Sequence, residues 1–211
     1  VLFRSPEGRK TINTFFVEGL EKNIREIIMK EIAREGQVFY IFNSVKGIEK
    51  KTQELRKILP EYLKIDFVHG QMTPRDIKEK IKEFENGEID ILVATTIIEN
   101  GIDIENANTM IIDRADKLGL SQIYQLRGRV GRGNRQSYCY LLTKEYQTKK
   151  AKEREESIKN LEEIDGGGLQ LSMEDMRIRG AGEILGEKQH GILETFGYTL
   201  YMKRSEEHTS E

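Results

Sequence analysis

The 211-residue chain is predicted to form an α/β domain in which helices flank a parallel sheet. Short apolar runs typical of buried strands alternate along the chain with amphipathic helical patterns. The intervals between these runs leave room for helical crossovers, which parallel strands require. Domains of this class bind their ligands beyond the carboxyl ends of the strands, so we expect functional residues there.

Five buried strands are predicted, at residues 38–42, 65–68, 89–94, 109–112 and 137–142. The first helix begins near Leu20, and we expect it to stop at Gly36. Its apolar face is formed by Leu20, Ile24, Ile27, Ile28 and Ile32.

Polar residues and prolines mark the bounds of two further helices. Asn43 or Ser44 is expected to cap the second helix, which ends at Pro60. Thr73 is predicted as the N-cap of the third helix, followed by Pro74 as its first helical residue. Asp76 completes a pattern similar to a capping box.

Composition limits the classes of function. Charged residues make up 33% of the chain but the net charge is only −2, so a polyanion would have to be held by a local patch. No apolar run approaches the roughly 20 residues of a membrane helix, and we expect a soluble, cytoplasmic protein. The single cysteine, Cys139, lies in an apolar run and is expected to be buried. Three scattered histidines predict no metal cluster.

The segment QLRGRVGR, at Gln125 to Arg132, is the most informative part of the chain. Four arginines lie within nine positions, and no acidic residue occurs between Asp116 and Glu145: they are Arg127, Arg129, Arg132 and Arg135. A spacing of three would place Arg129 and Arg132 on one helical face, where both could grip a polyphosphate. An arginine-rich helix end that is merely solvated is the alternative.

Glycines separate these arginines. Gly128 and Gly131 carry no side chain, so an anion could approach the backbone closely at either position. Together with the arginines, they predict a site for phosphate groups.

Several motifs together resemble the second motor domain of superfamily 2 helicases and translocases. In chain order they are VFYIFNSV, FVHGQM, ILVATTIIENGIDI and QLRGRVGR. The stretches TMIIDRADKLGLSQIYQLRGRVGR and RIRGAGEILGEKQHG resemble in particular the bacterial transcription-repair coupling factors and their relatives, the RecG-type helicases. The motif NANTMII, the triplet RAD and the sequence GYTLYMK near the end of the chain favour the coupling factors.

The resemblance covers residues 6–203 and implies a domain plan. Residues 6–147 would form a RecA-like helicase C-terminal domain, and residues 148–168 a connecting helix with a glycine linker. Residues 169–203 would form part of a helical-hairpin translocation module. We expect residues 1–5 and 204–211 to be non-native or disordered.

The resemblance also implies roles in nucleotide binding. Arg132 would be the arginine finger on the γ-phosphate of ATP, Arg129 would assist it, and Gln125 would face the same phosphate. Gly101 and Asp103 would lie near the nucleotide sugar. Asp103 has a second interpretation, because a carboxylate at a strand end often caps a loop.

The predicted DNA contacts are of a sequence-independent kind. Hydroxyls and backbone N–H groups at strand ends would hold phosphate oxygens without contacting bases, at Ser44, His69, Gly70, Thr95 and Thr96. For His69 a purely structural role is the alternative. By resemblance, Arg179 and Gln189 would couple hydrolysis to translocation, whereas Arg177 and Asn100 depart from the family pattern and receive no role.

The implied cofactor is ATP with Mg²⁺, although the sequence contains no GxxxxGK[ST] phosphate loop. The first motor domain of the same polypeptide would hold most of the Mg²⁺ contacts, so we expect this fragment to be inactive alone. The expected partners are double-stranded DNA and, through other domains, RNA polymerase and excision-repair proteins.

Three functions stay open on this basis. The first is one half of an ATP-driven DNA translocase that displaces stalled RNA polymerase and couples transcription to excision repair. The second is a RecG-like helicase acting on branched DNA. The third is a non-catalytic module that binds DNA or protein, in which the arginines only position phosphates.

Overall fold

A computed structural model describes residues 12–96, 107–130 and 135–144, together with Glu156. The chain divides into two units, Val1–Glu155 and Glu156–Glu211, and every strand described below belongs to the first. The predicted connecting helix, glycine linker and translocation hairpin lie outside the described residues, apart from Glu156, which is helical. The two predicted non-native ends also lie outside them.

The described elements are six strands, four helices and one short 3₁₀ turn. The strands are β1 (Asn13–Glu18), β2 (Gln37–Ile41), β3 (Ile65–Val68), β4 (Ile91–Ala94), β5 (Ala107–Ile112) and β6 (Tyr138–Thr143). The helices are α1 (Glu21–Ala33), α2 (Ile48–Ile58), α3 (Pro74–Glu85) and α4 (Leu120–Arg127), and the 3₁₀ turn is Ala115–Lys117.

The six strands form one sheet in the order β1-β6-β5-β2-β4-β3, and every neighbouring pair is parallel. All carboxyl ends therefore lie along one edge, which we call the carboxyl edge, and all amino ends along the opposite amino edge. Every residue of the central strands β2, β4 and β5 is buried, as expected for a parallel sheet covered on both faces. The predicted α/β class is confirmed.

The five predicted strands are confirmed to within two residues at each end. Strand β1 was not predicted. It pairs only with β6 at the border of the sheet, and its residues alternate between exposed and half-buried at its start. Phe15 at its centre is 43% exposed and stacks on Tyr140 of β6. Such an edge strand lacks the continuous apolar run that marks the central strands.

A cluster of aliphatic side chains from α1, α2 and the central strands forms the core. Ile28, Leu55, Val93 and Ile111 are members with at most 2% of their surface exposed. Burying each such side chain contributes about 1.5–3 kcal/mol to folding. Cys139 is completely buried on β6, which confirms the expected packing role.

The predicted start of α3 is confirmed, whereas that of α2 is wrong. The Asp76 N–H donates to the Thr73 hydroxyl at 3.2 Å, so Thr73 is the N-cap. Helix α2 begins only at Ile48. Ser44 accepts a hydrogen bond from the Gly47 N–H at 3.2 Å and so orders the turn that precedes α2. Its side chain is used by that turn rather than by the first turn of the helix.

Gly36 follows α1 for a reason that the sequence did not reveal. The left-handed residue after the helix is Glu35, with φ 59°, so Gly36 does not serve as the left-handed cap. A Cβ at Gly36 would lie 1.7 Å from the Glu31 Oε1 atom. The Glu31 side chain is buried, with its Oε2 atom 2.9 Å from Arg34 Nε and 2.5 Å from the Thr109 hydroxyl. Gly36 therefore leaves room for a paired, buried carboxylate.

We expect Gly36→Ala to lower the free energy of unfolding by about 1–3 kcal/mol, because the new methyl group would displace the Glu31 carboxylate from its partners. Urea denaturation of the chain measures this. Gly19→Ala is the matched control, since a Cβ there would meet its nearest neighbour at an ordinary 3.6 Å. Equal unfolding midpoints for the two variants would contradict the packing argument.

Candidate functional site

The carboxyl edge brings together the five residues predicted to contact DNA. Ser44 follows β2, His69 and Gly70 follow β3, and Thr95 and Thr96 follow β4. These three strands are adjacent in the sheet. The residues therefore line one continuous part of the edge, as expected from the parallel topology.

Their side chains differ in exposure. Ser44 and Gly70 are exposed and His69 is partly exposed, whereas Thr95 and Thr96 are only 2% and 6% exposed. The Thr96 hydroxyl donates to Asn43 Oδ1 at 2.9 Å. The Thr95 hydroxyl has no hydrogen-bond partner within the described residues. Among the described residues, the groups exposed at this part of the edge thus belong to the residues after β2 and β3 rather than to the threonine hydroxyls.

Asn43 belongs to this surface although sequence analysis considered it only as a helix cap. It is exposed, lies directly before Ser44, and binds the loop after β4 through Thr96. The adjacent pair Asn43–Ser44 at a strand end was the signal available in the sequence.

His69 also has a structural role. Its Nδ1 atom accepts a hydrogen bond from the Gln71 N–H at 3.3 Å, and its ring stacks on Phe67 with centroids 6.0 Å apart. These contacts order the turn after β3. A contact between His69 and DNA stays a prediction.

A polar network that sequence analysis missed lies just inside the carboxyl edge. The Tyr40 hydroxyl donates to Asp113 Oδ2 at 2.8 Å, and Lys51 Nζ lies 3.1 Å from the same oxygen. The network joins the end of β5 to β2 and α2. Burial raises the pKa of Tyr40 well above its ordinary value, and the negative charge of Asp113 raises it further.

The RAD triplet forms a tight turn between β5 and α4. Arg114 is left-handed, with φ 53°, and its Nε and Nη2 atoms donate to the two carboxylate oxygens of Asp116 at 3.0 and 2.8 Å. The hydrogen bonds from Arg114 lower the pKa of Asp116. These two hydrogen bonds fix the path of the chain before α4, which leads into residues 127–135, called the arginine segment below.

The arginine segment leaves the helix earlier than its spacing suggested. Helix α4 ends at Arg127, Gly128 is its C-cap, and Arg129 lies in the following turn, where its N–H donates to the Leu126 carbonyl at 2.9 Å. The prediction that Arg129 and Arg132 share a helical face is therefore wrong for Arg129, because the helix has already ended. Gln125 is exposed in the last turn of α4, and Arg129 is partly exposed.

Gly128 has an ordinary helical conformation, with φ −64°. A Cβ there would meet its nearest neighbour, the Gln125 carbonyl, at 3.5 Å, which is normal contact. The fold therefore does not require glycine at this position. Close approach of an anion to Gly128 stays a prediction.

The remaining predicted site residues lie outside the described residues. They are Gly101, Asp103, Gly131, Arg132, Arg179 and Gln189, together with Asn100 and Arg177. Among the described residues no three His, Cys, Asp or Glu side chains gather in a way that could hold a metal ion. No helix in the same part is long and apolar enough to cross a bilayer.

Comparison with known families gives one decisive match. The model of the helicase conserved C-terminal domain matches residues 19–134, which is more than half of the chain and includes α1, the central strands and QLRGRVGR. The chain belongs to this helicase family. As a helicase C-terminal domain, it has the RecA-like fold that its motifs predicted.

Two curated relatives show the same resemblance along the whole chain. The transcription-repair-coupling factor of Staphylococcus haemolyticus (strain JCSC1435) is 46% identical over 213 residues, and that of Staphylococcus aureus (strain USA300) is 45% identical. Each alignment covers 100% of this chain but only 18% of the relative's length. The chain thus spans about a fifth of the length of these relatives.

Two solved structures are similar to the helicase domain chain. RecG bound to a three-way DNA junction is 34% identical, with a TM-score of 0.68, and the alignment covers 89% of this chain and 24% of RecG. The helicase Lhr of Mycobacterium smegmatis, bound to single-stranded DNA and AMP-PNP, is 18% identical with a TM-score of 0.59. That alignment covers 74% of this chain and 22% of Lhr, and it shows a shared fold.

We expect the stability of the domain to fall at alkaline pH through Tyr40. Its pKa is raised in the folded state, so above the ordinary tyrosine pKa of 10.0 the unfolded chain releases a proton that the folded chain keeps. This lowers the free energy of unfolding by up to about 1.4 kcal/mol per pH unit. In Tyr40→Phe the decline above pH ~10 should be shallower, as urea denaturation at several pH values would show.

At neutral pH, Tyr40→Phe should also lower the free energy of unfolding by about 1–2 kcal/mol, because the substitution removes the hydrogen bond to Asp113. Tyr62→Phe is the control, because Tyr62 is 69% exposed. An unchanged pH slope in Tyr40→Phe would show that this phenol does not govern the alkaline behaviour.

Proposed function

We propose that this chain is the second motor domain of an ATP-dependent double-stranded DNA translocase that displaces stalled RNA polymerase and so couples transcription to nucleotide excision repair. The observation that carries the proposal is the 46% identity to a transcription-repair-coupling factor, which extends over the entire chain. The helicase family match and the likeness to RecG support the same class of motor.

The geometry supports contacts with two ligands at once. The exposed residues Asn43, Ser44 and Gly70 lie at the carboxyl edge. The end of α4 lies toward the amino edge, because Arg127 Nη2 donates to the carbonyl of Ile12, one residue before β1, at 3.0 Å. A nucleic-acid backbone and a nucleotide could therefore bind at different places on one rigid sheet.

In the proposed reaction the arginines stabilise charge on the transferred phosphoryl group. Arg132 acts as the finger on the γ-phosphate and Arg129 assists it, while Gln125 faces the same phosphate. Arg129 is suited to this role because its side chain is partly exposed and has no hydrogen bond or ion pair within the described residues. Gly101 and Asp103 would contact the sugar.

Mg²⁺ and the attacking water belong, in this proposal, to the first motor domain. The described residues offer no carboxylate cluster for the ion, so we assign this chain no step that involves it. Negligible ATP hydrolysis by the isolated chain follows from that division of roles.

DNA would be held by its phosphates. Hydroxyl and amide groups after β2 and the backbone N–H of Gly70 can donate to phosphate oxygens on any sequence, as a translocating motor requires. Arg179 and Gln189 would couple hydrolysis to movement. RNA polymerase and excision-repair proteins would bind other domains of the same polypeptide.

A RecG-like helicase for branched DNA is the second candidate. The likeness to RecG bound to a three-way junction, at 34% identity, favours it. Two assays of the full-length protein separate the candidates: displacement of a stalled RNA polymerase from DNA, and unwinding of a synthetic fork. Activity in the second assay alone would select the RecG-like function.

Arg132→Ala should abolish most DNA-stimulated ATP hydrolysis in a polypeptide that joins this chain to the first motor domain. A finger contributes about 10³–10⁵ in rate, and we expect a smaller loss, about 10–10²-fold, for Arg129→Ala. Fluorescent-nucleotide binding should persist, because the arginines act mainly in the transition state. The control is Arg75→Ala, an exposed arginine on α3. Equal hydrolysis by Arg132→Ala and wild type would favour the non-catalytic binding module.

Ser44→Ala should weaken DNA binding by the same polypeptide about 3–10-fold, since one exposed hydrogen bond contributes a net free energy of about 1 kcal/mol. The loss should be equal for unrelated DNA sequences, because phosphate contacts carry no base information. Thr14→Ala, a hydroxyl deletion on β1 at the far side of the sheet, is the control. A loss confined to one DNA sequence would refute backbone recognition at Ser44.

A further inference from the structure

The arginines that surround the proposed finger are not equivalent in the structure. Arg127 Nη2 donates to the Ile12 carbonyl at 3.0 Å, and Arg135 Nη1 donates to the carbonyls of Arg34 and Glu35 at 2.7 and 3.2 Å. The first and last arginines of the segment thus bind backbone carbonyls at the amino edge, whereas Arg129 between them makes no such bond within the described residues.

The turn that receives Arg135 is tied back to the same segment. Arg34 Nη2 donates to the carbonyl of Gln136, the residue after Arg135, at 2.5 Å. The guanidinium of Arg34 also lies 4.8 Å from the ring centroid of Tyr138. Arg34 and Arg135 therefore each donate to a backbone carbonyl of the other segment.

A buried carboxylate fixes Arg34 in this position. Glu31 is 2% exposed, and its Oε2 atom lies 2.9 Å from Arg34 Nε and 2.5 Å from the Thr109 hydroxyl. A buried carboxylate requires partners, so the ion pair favours the observed position of Arg34. Thr109 belongs to β5, so Glu31 and Arg34 are connected to the central sheet rather than to a surface loop.

The turn after α1 presents two backbone carbonyls to Arg135. Glu35 has φ 59°, a left-handed conformation that non-glycine residues rarely adopt. The carbonyls of Arg34 and Glu35 converge on a single nitrogen of Arg135. The left-handed conformation of Glu35 also ends α1, where its N–H donates to the Ile32 carbonyl at 2.9 Å.

We propose that Glu31, Arg34 and Arg135 form a positioning cluster that fixes the carboxyl-terminal side of the arginine segment and so sets the placement of the hydrolytic arginines. The inference rests on the proposed ATPase function. None of the three residues touches nucleotide in this scheme. They act through Arg129 and Arg132, as positioning residues.

The expected signature follows from the role of position in catalysis. A displacement of about 1 Å in a group that acts on the transition state can cost about 10²-fold in rate. Ground-state nucleotide binding depends mainly on the other motor domain in the proposal. Loss of the cluster should therefore lower kcat for ATP and leave KM for ATP nearly unchanged.

The test uses the full-length motor that contains this chain, with DNA-stimulated ATP hydrolysis as the readout. For Arg135→Ala we expect kcat to fall at least about 10-fold, with KM for ATP within about 2-fold of wild type. Arg135 is exposed, so its removal leaves no buried charge inside the domain, and the melting temperature should stay near that of wild type. Arg135→Lys should restore most of kcat, because an ammonium group can donate to both carbonyls.

Arg56→Ala is the matched control. Arg56 Nη2 also donates to a backbone carbonyl, that of Ile65 at 2.6 Å, but Ile65 begins β3 at the opposite side of the sheet. This variant should keep the wild-type kcat. An equal loss in Arg56→Ala and Arg135→Ala, or a loss that follows the melting temperature, would overturn the positioning role.

The outcomes also separate this inference from the proposed function. If wild type hydrolyses ATP and Arg132→Ala does not, while Arg135→Ala keeps wild-type kcat, the positioning cluster alone is refuted. If Arg132→Ala hydrolyses ATP as fast as wild type, the proposed function fails and the inference fails with it. A selective fall in kcat for Arg135→Ala, restored by Arg135→Lys, supports both.

Discussion

The parallel pairing of β2 with β4 and β5 is the constraint on which the rest of the domain depends. It buries every residue of three central strands and brings all carboxyl ends to one edge. Residues that lie far apart in sequence, such as Asn43 and Thr96, become neighbours in the fold because they follow the paired strands β2 and β4. The same pairing sends each crossover back to the amino edge, where the arginine segment is anchored through Arg127.

Side-chain donors bound to backbone carbonyls hold these crossovers in place. Buried Gln37 Nε2 donates to the carbonyls of Phe84, in the last turn of α3, and of Ile89, which follows that helix. Arg25 Nη1 donates in the same way to Ile58, the last residue of α2. The last carbonyls of a helix have no partner within it, so a side chain from a neighbouring element can satisfy them. Arg135 extends this pattern to the turn after α1, where it donates to the Arg34 carbonyl.

Local arrangement matters more than overall charge in this chain. With a net charge of −2, long-range attraction to DNA or nucleotide would be weak, and recognition has to come from short-range donors held in fixed positions. Two of the arginines in the acid-free segment, Arg127 and Arg135, are engaged by backbone carbonyls. Counting cationic residues would therefore overstate the number of guanidinium donors that the segment offers to a ligand.

The sequence by itself determined the α/β class, the five strands β2 to β6, the N-cap at Thr73 and the helicase family, because buried strands and nucleotide motifs depend on local residue patterns. Only the tertiary structure placed β1, since an edge strand has a weak apolar pattern, and only it explained Gly36, whose neighbour Glu31 comes from the preceding helix. The end of α4 before Arg129 and the burial of Thr95 likewise depend on packing that spacing does not encode. Tertiary contacts decided which polar groups are hydrogen-bonded within the domain, because a bond such as that from Tyr40 to Asp113 joins residues that are distant in sequence.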